Sequence, residues 1–477
     1  MQVLFVSAEV APYSKTGGLG DVAGALPSCL QAIGHDVTVV TPLYAAVRGA
    51  YRLHLVFDSI PIEALGLSFG AWLADDGRTW FVDFPPFYDR PSIYTNDSDE
   101  HRRFLLLTWA ALELCRRRGW APAIAHANDW QTGFLPLLLR SAYGPDPLFG
   151  STRSVFTIHN LGYQGVFPAS IADDIGLRDQ QYLLHQDHLH QGRINFLEHA
   201  LMYADAITTV SPTYAWEIQT PERGLGLDGL LRRRAHDLVG ILNGIDTAVW
   251  DPRTDRHLQA NYSVHSLDDK HFNKVALLER GSLDPRSDLL LVGVISRLTA
   301  QKGIELMIRP LARLLAEDRV RLAALGSGEE KYQEAFRWLA AAFPEKVLYR
   351  EGYDEPLAHL IEGGADVFLM PSRYEPSGLN QMYSLSYGTP PVVRRTGGLA
   401  DTVRHYDPST GEGTGFVFDH YTEDGLAWAL DQALAVFPQR EEWRRLQRNG
   451  MAEDNSWERR GGEYDDLYRR LTEAPGP

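Results

Sequence analysis

The first 27 residues, MQVLFVSAEVAPYSKTGGLGDVAGALP, run from an apolar strand at Val3–Ser7 through a polar, glycine-bearing turn into an amphipathic helix. That order of strand, turn and helix is the unit of a parallel α/β sheet. It recurs along the chain in two series. In the first half, further strands are predicted at Val37–Thr41, Trp80–Phe84, Ile124–Ala127, Ser154–Ile158, Ile207–Val210 and Leu238–Leu242. In the second half they fall at Leu289–Ile295, Arg321–Leu325, Val347–Arg350, Val367–Met370 and Pro391–Arg394. Polar or glycine-rich residues follow at the carboxyl ends, the pattern of two doubly wound sheets. A chain of 477 residues exceeds what one core usually organises, so two domains are expected.

The turn-rich stretch Asn243–Asp255, containing Pro252, is the expected hinge. This places an N-terminal domain at 1–245 and a C-terminal domain at 246–456, with the final helical stretch, 457–477, returning to the first. The polar segment Asn261–Lys270 is expected to wrap the surface. Asp and Glu total 62 against 46 Lys and Arg, and the resulting net charge of −16 opposes a nucleic-acid partner. A neutral polymer fits better, and aromatics at 11% can supply sugar-facing platforms. Cys29 and Cys115 are the only cysteines, which argues against a disulfide framework and for a reducing compartment. The N-terminus lacks signal-peptide features and no run is long enough to span a bilayer, so a cytoplasmic protein without membrane attachment is expected.

Four segments carry chemistry. In Lys15-Thr-Gly17-Gly18-Leu, the glycines let backbone N–H groups approach an anion, Lys15 adds charge, and the following helix points its positive end at the same place. A diphosphate suits this site, with Asp21 bonding sugar hydroxyls or favouring the helix dipole. The chain repeats the pattern at Arg395-Thr396-Gly-Gly-Leu-Ala-Asp, which reads as a second use of the same loop chemistry. Arg297 and Lys302, five residues apart just beyond a strand, can converge on a phosphate pair. In Arg373-Tyr-Glu375-Pro-Ser-Gly378-Leu379, a tight turn presents amides near Gly378 and Leu379 to phosphate while Glu375 faces the sugar. Asp129 in ANDWQ and His159 in TIHNLGYQG join hydrogen-bonding groups to aromatic faces beyond first-half strands. No HExxH, cysteine cluster or acidic cage accompanies these segments, so neither a metal nor a cofactor is expected.

Taken together, SAEVAPYSKTGGLGDVAGALP, FTIHNLGYQG, GILNGIDTAVWDP, ISRLTAQKG, LGSGEE, MPSRYEPSGLNQMYSLSYGTPPVVRRTGGLADTV and GTGFVF resemble bacterial glycogen synthases and plant starch synthases over nearly the whole chain. These are retaining glycosyltransferases of the GT-B fold, in which two Rossmann-like domains face each other across a deep cleft. The resemblance implies that Lys15, Gly17 and Gly18 meet the donor's diphosphate from the first domain and Arg297 and Lys302 from the second. Glu375 matches the family's sugar-contacting glutamate, His159 the histidine beside the glucosyl group, and Tyr353 an aromatic that stacks on the nucleobase. Asp129 corresponds to the aspartate of a block usually reading HDWH, and Asn243 and Thr396 complete the substrate-binding set. There are departures: Asn128 and Gln131 replace that block's histidines, Ser377 and Asn380 stand where Cys and Thr are commoner, and Tyr383 occupies the position of a second glutamate in many retaining relatives.

The implied reaction is transfer of glucose from ADP-glucose to the terminal 4-hydroxyl of glycogen or another α-1,4-glucan, with retention. A UDP-glucose-preferring transferase and a sugar-nucleotide isomerase of the same fold are the enzyme alternatives. A non-enzymatic α-glucan-binding protein is the other class.

Overall fold

A computed structural model describes residues 1–95 and 97–473. They form two compact units, Met1–Asn243 with Trp457–Pro477, and Gly244–Ser456.

The first unit is built on nine strands: β1 (Gln2–Val6), β2 (Asp36–Pro42), β3 (Leu53–Ile62), β4 (Leu67–Ala74), β5 (Thr79–Asp83), β6 (Ile124–Asn128), β7 (Arg153–Ile158), β10 (Ala206–Thr209) and β11 (Leu238–Gly240). A separate two-stranded pair joins β8 (Val166–Pro168) to β9 (Arg193–Asn195). The main sheet runs β11-β10-β7-β6-β1-β2-β5-β4-β3. It is parallel except at one edge, where β3, β4 and β5 pair antiparallel. The β3–β4 hairpin is absent from the sequence expectation: β3 is largely exposed and its pairing is interrupted by register shifts, so no clean alternation marks it.

Because both faces of this sheet are covered, β1 reads as a continuous apolar run, with Val3, Leu4, Phe5 and Val6 all fully buried. Helix Gly18–Ala32 lays Val22, Ala23, Leu26 and Leu30 against one face. Helix Trp457–Glu473 packs beside it, and Cys29 Sγ donates to the Trp457 carbonyl at 3.1 Å. A buried polar chain fixes that helix from below: Tyr468 Oη lies 2.6 Å from His126 Nδ1, and His126 Nε2 lies 2.6 Å from Thr157 Oγ1. Burial pushes the His126 imidazole down to about 3, so it stays neutral.

The second unit has six parallel strands, β12 (Leu290–Ile295), β13 (Val320–Gly326), β14 (Val347–Glu351), β15 (Val367–Met370), β16 (Pro391–Arg394) and β17 (Phe416–Phe418), in the order β14-β13-β12-β15-β16-β17. The segment expected to wrap the surface, Asn261–Lys270, does not stay there. Tyr262 and Lys270 are buried, and Lys270 Nζ donates to the Gly363 carbonyl and Thr389 Oγ1, each at 2.7 Å. Fixed acceptors distant in sequence compensate the ammonium. Burial still lowers its pKa to about 7.

Among the parallel strands of each unit the order switches direction, between β1 and β6 in the first and between β12 and β15 in the second. Connections leave such a switch point in opposite directions and open a crevice at the carboxyl ends of the strands, where ligands of doubly wound sheets bind.

Candidate active site

At the switch point of the second unit, the loops after β12 and β15 are zipped together. Arg373 N donates to the Gln301 carbonyl at 2.8 Å, and Gly303, at φ +69°, presses so closely on the Pro371 carbonyl that a Cβ has no room. This contact brings Lys302 Nζ within 2.7 Å of Glu375 Oε2. Glu375 is 4% exposed, and the same oxygen accepts from Ser372 Oγ at 2.9 Å. Arg297, on the same loop as Lys302, is exposed, and its guanidinium has no hydrogen-bond or ion-pair partner among the described residues. One cation is therefore docked on a carboxylate and the other is not.

A third loop closes on these two. Gly398 N donates to the Glu375 carbonyl at 3.0 Å, and Gly397, at φ +44°, packs its Cα directly against that carbonyl. Thr396, fully buried, precedes them at the start of helix Gly397–Thr402. Gly378 takes φ +71° at the turn before Leu379, and Asn380 Nδ2 reaches back to the Ile295 carbonyl at the end of β12, 3.1 Å away. Tyr353, beyond β14, is 83% exposed.

In the first unit, Lys15 Nζ pairs with Asp21 Oδ1 at 2.6 Å, and both are partly solvent-exposed. Beneath the loop lies a residue the sequence reading did not single out. Glu9, 3% exposed, accepts from Thr16 N at 2.5 Å, Thr16 Oγ1 at 2.7 Å, Gly17 N at 3.3 Å and Tyr94 Oη at 2.6 Å. A carboxylate two residues past a buried strand was the available signal, but its partners cannot be read locally. Gly17 itself is extended, at φ −162°, with nothing within 4 Å of where a Cβ would lie. The two TGGL loops thus differ: Gly397 and Gly398 are demanded by backbone packing, whereas Gly17 leaves open space.

On the other side of the same switch point, Asp129 holds φ +54°, a conformation L-residues rarely adopt. Its Oδ1 accepts from His159 N at 2.7 Å and Asn160 N at 3.4 Å, while its own N–H donates to the Thr157 carbonyl at 2.9 Å. Asp129 therefore sets the His159 loop. Asn128 sets the imidazole: its Nδ2 donates to the Val6 carbonyl at 3.1 Å, which turns Oδ1 toward His159 Nε2, 2.9 Å away. Nε2 must carry the proton and Nδ1 the lone pair. Burial lowers His159 to about 3, so the ring is neutral and offers an acceptor rather than a proton. Asn243 is 4% exposed, and its Oδ1 has no partner among the described residues; the same holds for Gln131 Oε1.

Residues 2–233 match the family model described as starch synthase catalytic domain, and residues 278–450 match glycosyl transferases group 1. A protein of Anaeromyxobacter dehalogenans named glycogen synthase is 48% identical, covering 99% of this chain and all of its own. A glycogen synthase of Thermotoga maritima is 42% identical with full coverage of both chains. The chain belongs to the glycogen and starch synthase family. The catalytic domain of starch synthase IV from Arabidopsis thaliana, solved bound to ADP and acarbose, superposes with a TM-score of 0.92 at 36% identity, covering 99% of each chain. The sucrose-phosphate synthase structure from Thermosynechococcus elongatus, at 18% identity and a TM-score of 0.61, shares the fold.

As a member of the glycogen and starch synthase family, the chain is informative where it departs from the usual pattern. Asn128 does not leave a hole in place of histidine; it ties β1 to His159. Asn380 braces the end of β12, and Tyr383 stacks on Trp250 with ring centroids 4.0 Å apart.

The contrast between the loops gives a paired expectation. Gly17→Ala leaves thermal stability within about 1 °C, because the added methyl meets nothing and extended φ suits any residue; donor KM rises roughly tenfold, the equivalent of one obstructed amide contact. Gly397→Ala instead lowers thermal stability, since its Cβ strikes the Glu375 carbonyl at positive φ. Calorimetric melting with donor kinetics checks both.

Asp129 carries a pH signature. Burial raises its carboxyl to about 7, against the amides of His159 and Asn160, which lower it. An acid whose pKa is raised by folding binds its proton more tightly when folded, so its contribution to stability falls as pH rises from about 4 through about 7. Asp129→Asn keeps an acceptor for the two amides and removes the titration. Denaturant melts from pH 5 to 8 should therefore show a flatter pH dependence for the variant than for the parent.

Proposed function

We propose that this chain is a glycogen synthase of the cytoplasm, transferring glucose from ADP-glucose to the non-reducing end of an α-1,4-glucan with retention of configuration. The observation that carries the reading is the Lys302–Glu375 pair at the switch point of the second unit, in a chain 48% identical along its length to a relative named glycogen synthase. Among the described residues, no helix is long and apolar enough to cross a membrane.

In the proposed reaction the bond between the anomeric carbon and the β-phosphate oxygen breaks, and ADP departs with the electron pair. The acceptor's 4-hydroxyl oxygen bonds the same carbon from the same face and gives its proton to the leaving phosphate, so no side-chain base is required. Arg297, Lys302 and Lys15, with the amides near Gly17, Gly18, Gly378 and Leu379, offset charge growing on the diphosphate. Glu375 and the His159 carbonyl stabilise the cationic sugar carbon. His159 Nδ1 accepts a sugar hydroxyl, Tyr353 stacks on the adenine, and Asp129 positions the His159 loop. Asp21, Asn243 and Thr396 complete the set that holds substrate.

Side-by-side assays with ADP-glucose and UDP-glucose on a glycogen primer test the donor. ADP-glucose should give at least tenfold higher kcat/KM, about 1.4 kcal/mol. Equal or reversed preference would replace the adenine assignment. Glucan binding without turnover on either donor would leave a binding protein.

A further inference from the structure

Helix Glu355–Gly364 carries Glu355 and His359 four residues apart, so both project from one face of its first turns. His359 is 1% exposed, and its ring is held on two sides. Nδ1 lies 2.7 Å from Asp255 Oδ2, and Trp250 stacks on the ring at 3.9 Å with planes 3° apart. Asp255 is equally fixed: the same oxygen accepts from Tyr387 Oη at 2.5 Å and Oδ1 from His257 N at 2.8 Å. With Tyr387 Oη and His257 N both donating to it, the Asp255 carboxylate is fixed in place against His359 Nδ1 and orients the ring. His359 Nε2, on the far side of the ring, has no hydrogen-bond partner among the described residues, on a side chain that is almost wholly buried.

His257 faces it, with ring centroids 4.8 Å apart. One ligand atom from each of His257, Glu355 and His359 lies within 4.8 Å of the others. We infer that these three side chains form a binding site for a divalent transition cation, with zinc the best fit to two imidazoles and one carboxylate and with water completing the coordination. Asp255 is the carboxylate that sets the tautomer and aim of a ligating histidine, an arrangement that metal sites depend on. Arg256 Nε reaches His257 Nε2 at 3.3 Å, an exposed contact that a cation bypasses through Nδ1 or displaces. His257 comes from a segment distant in sequence from Glu355 and His359, so no contiguous three-ligand signature exists, and the expectation of no metal drawn from the motif segments did not reach this cluster. The bound cation would clamp the loop that carries His257 to the helix that follows Tyr353.

A second cluster, His185, His188 and Glu198, serves as the internal control. There the candidate ligands bond one another, so a cation would have to break contacts inside the cluster: His185 Nδ1 accepts from His188 N at 3.3 Å, and His188 Nδ1 lies 2.6 Å from Glu198 Oε2.

The test is titration of the chelator-treated full chain with Co²⁺ near neutral pH, followed by visible d–d absorption and calorimetry, with Zn²⁺ as competitor. The expected result is one equivalent bound, displaced by Zn²⁺ and not by Mg²⁺, with a Zn²⁺-dependent rise in melting temperature. His257→Ala and Glu355→Gln, both outside the core, each weaken binding by roughly tenfold or more; His188→Ala leaves it unchanged. The absence of stoichiometric binding overturns the proposal, as does binding that survives the His257→Ala/Glu355→Gln double variant or is lost in His188→Ala.

Discussion

Lys302→Ala lowers turnover at saturating donor by on the order of 10²-fold or more, while the melting temperature and glucan binding stay close to those of the parent. Lys302 Nζ rests on Glu375 Oε2 at 2.7 Å and is partly open to solvent, so the ammonium has a partner before any donor arrives. A departing diphosphate gains negative charge through the transition state, and a cation already placed by the Gly303–Pro371 contact meets that charge without reorganising. Removing it costs most where charge is greatest, so kcat falls more than donor affinity. When Lys302 is removed, the buried Glu375 carboxylate keeps the Ser372 hydroxyl as a donor, which limits the loss of stability. Steady-state kinetics beside calorimetry checks the expectation; near-parental turnover would take Lys302 out of the reaction.

Glu375→Gln produces a loss of similar size through the opposite charge. The side chain is 4% exposed and its Oε2 already receives Lys302 and Ser372. Gln keeps the shape but removes the negative charge proposed to face the developing sugar cation, so kcat is expected to fall by about 10²-fold and KM to move much less. Because Lys302 and Glu375 touch, their effects must not add. The Lys302→Ala/Glu375→Gln double variant should lose far less than the product of the single losses. A KM increase at unchanged kcat would assign Glu375 to ground-state recognition.

The parallel strands were legible because burial on both faces leaves apolar runs such as Leu290–Ile295, each followed by a motif loop. The β3–β4 hairpin was not, since an exposed, irregularly paired edge carries no periodicity. β17 is only three residues long. Within the site, Lys302 and Glu375 could be placed at strand ends from local pattern alone, and the structure joins them. Glu9 and Asn128 escaped for a different reason. Their roles lie in bonds to Tyr94, Val6 and His159, which adjacent sequence does not specify. Lys270 shows the same limit: it sits in a polar segment, yet acceptors near residues 363 and 389 draw it into the interior.

The most direct measurement is the stoichiometry and anomeric form of the product when ADP-glucose, labelled in the glucosyl carbon, is incubated with a short α-1,4-glucan and followed by NMR. The account predicts one ADP released for each new α-1,4-linked residue at the non-reducing end, with no β-anomer. ADP release that outruns chain growth, a β-linked product, or donor consumed without any new linkage would contradict it.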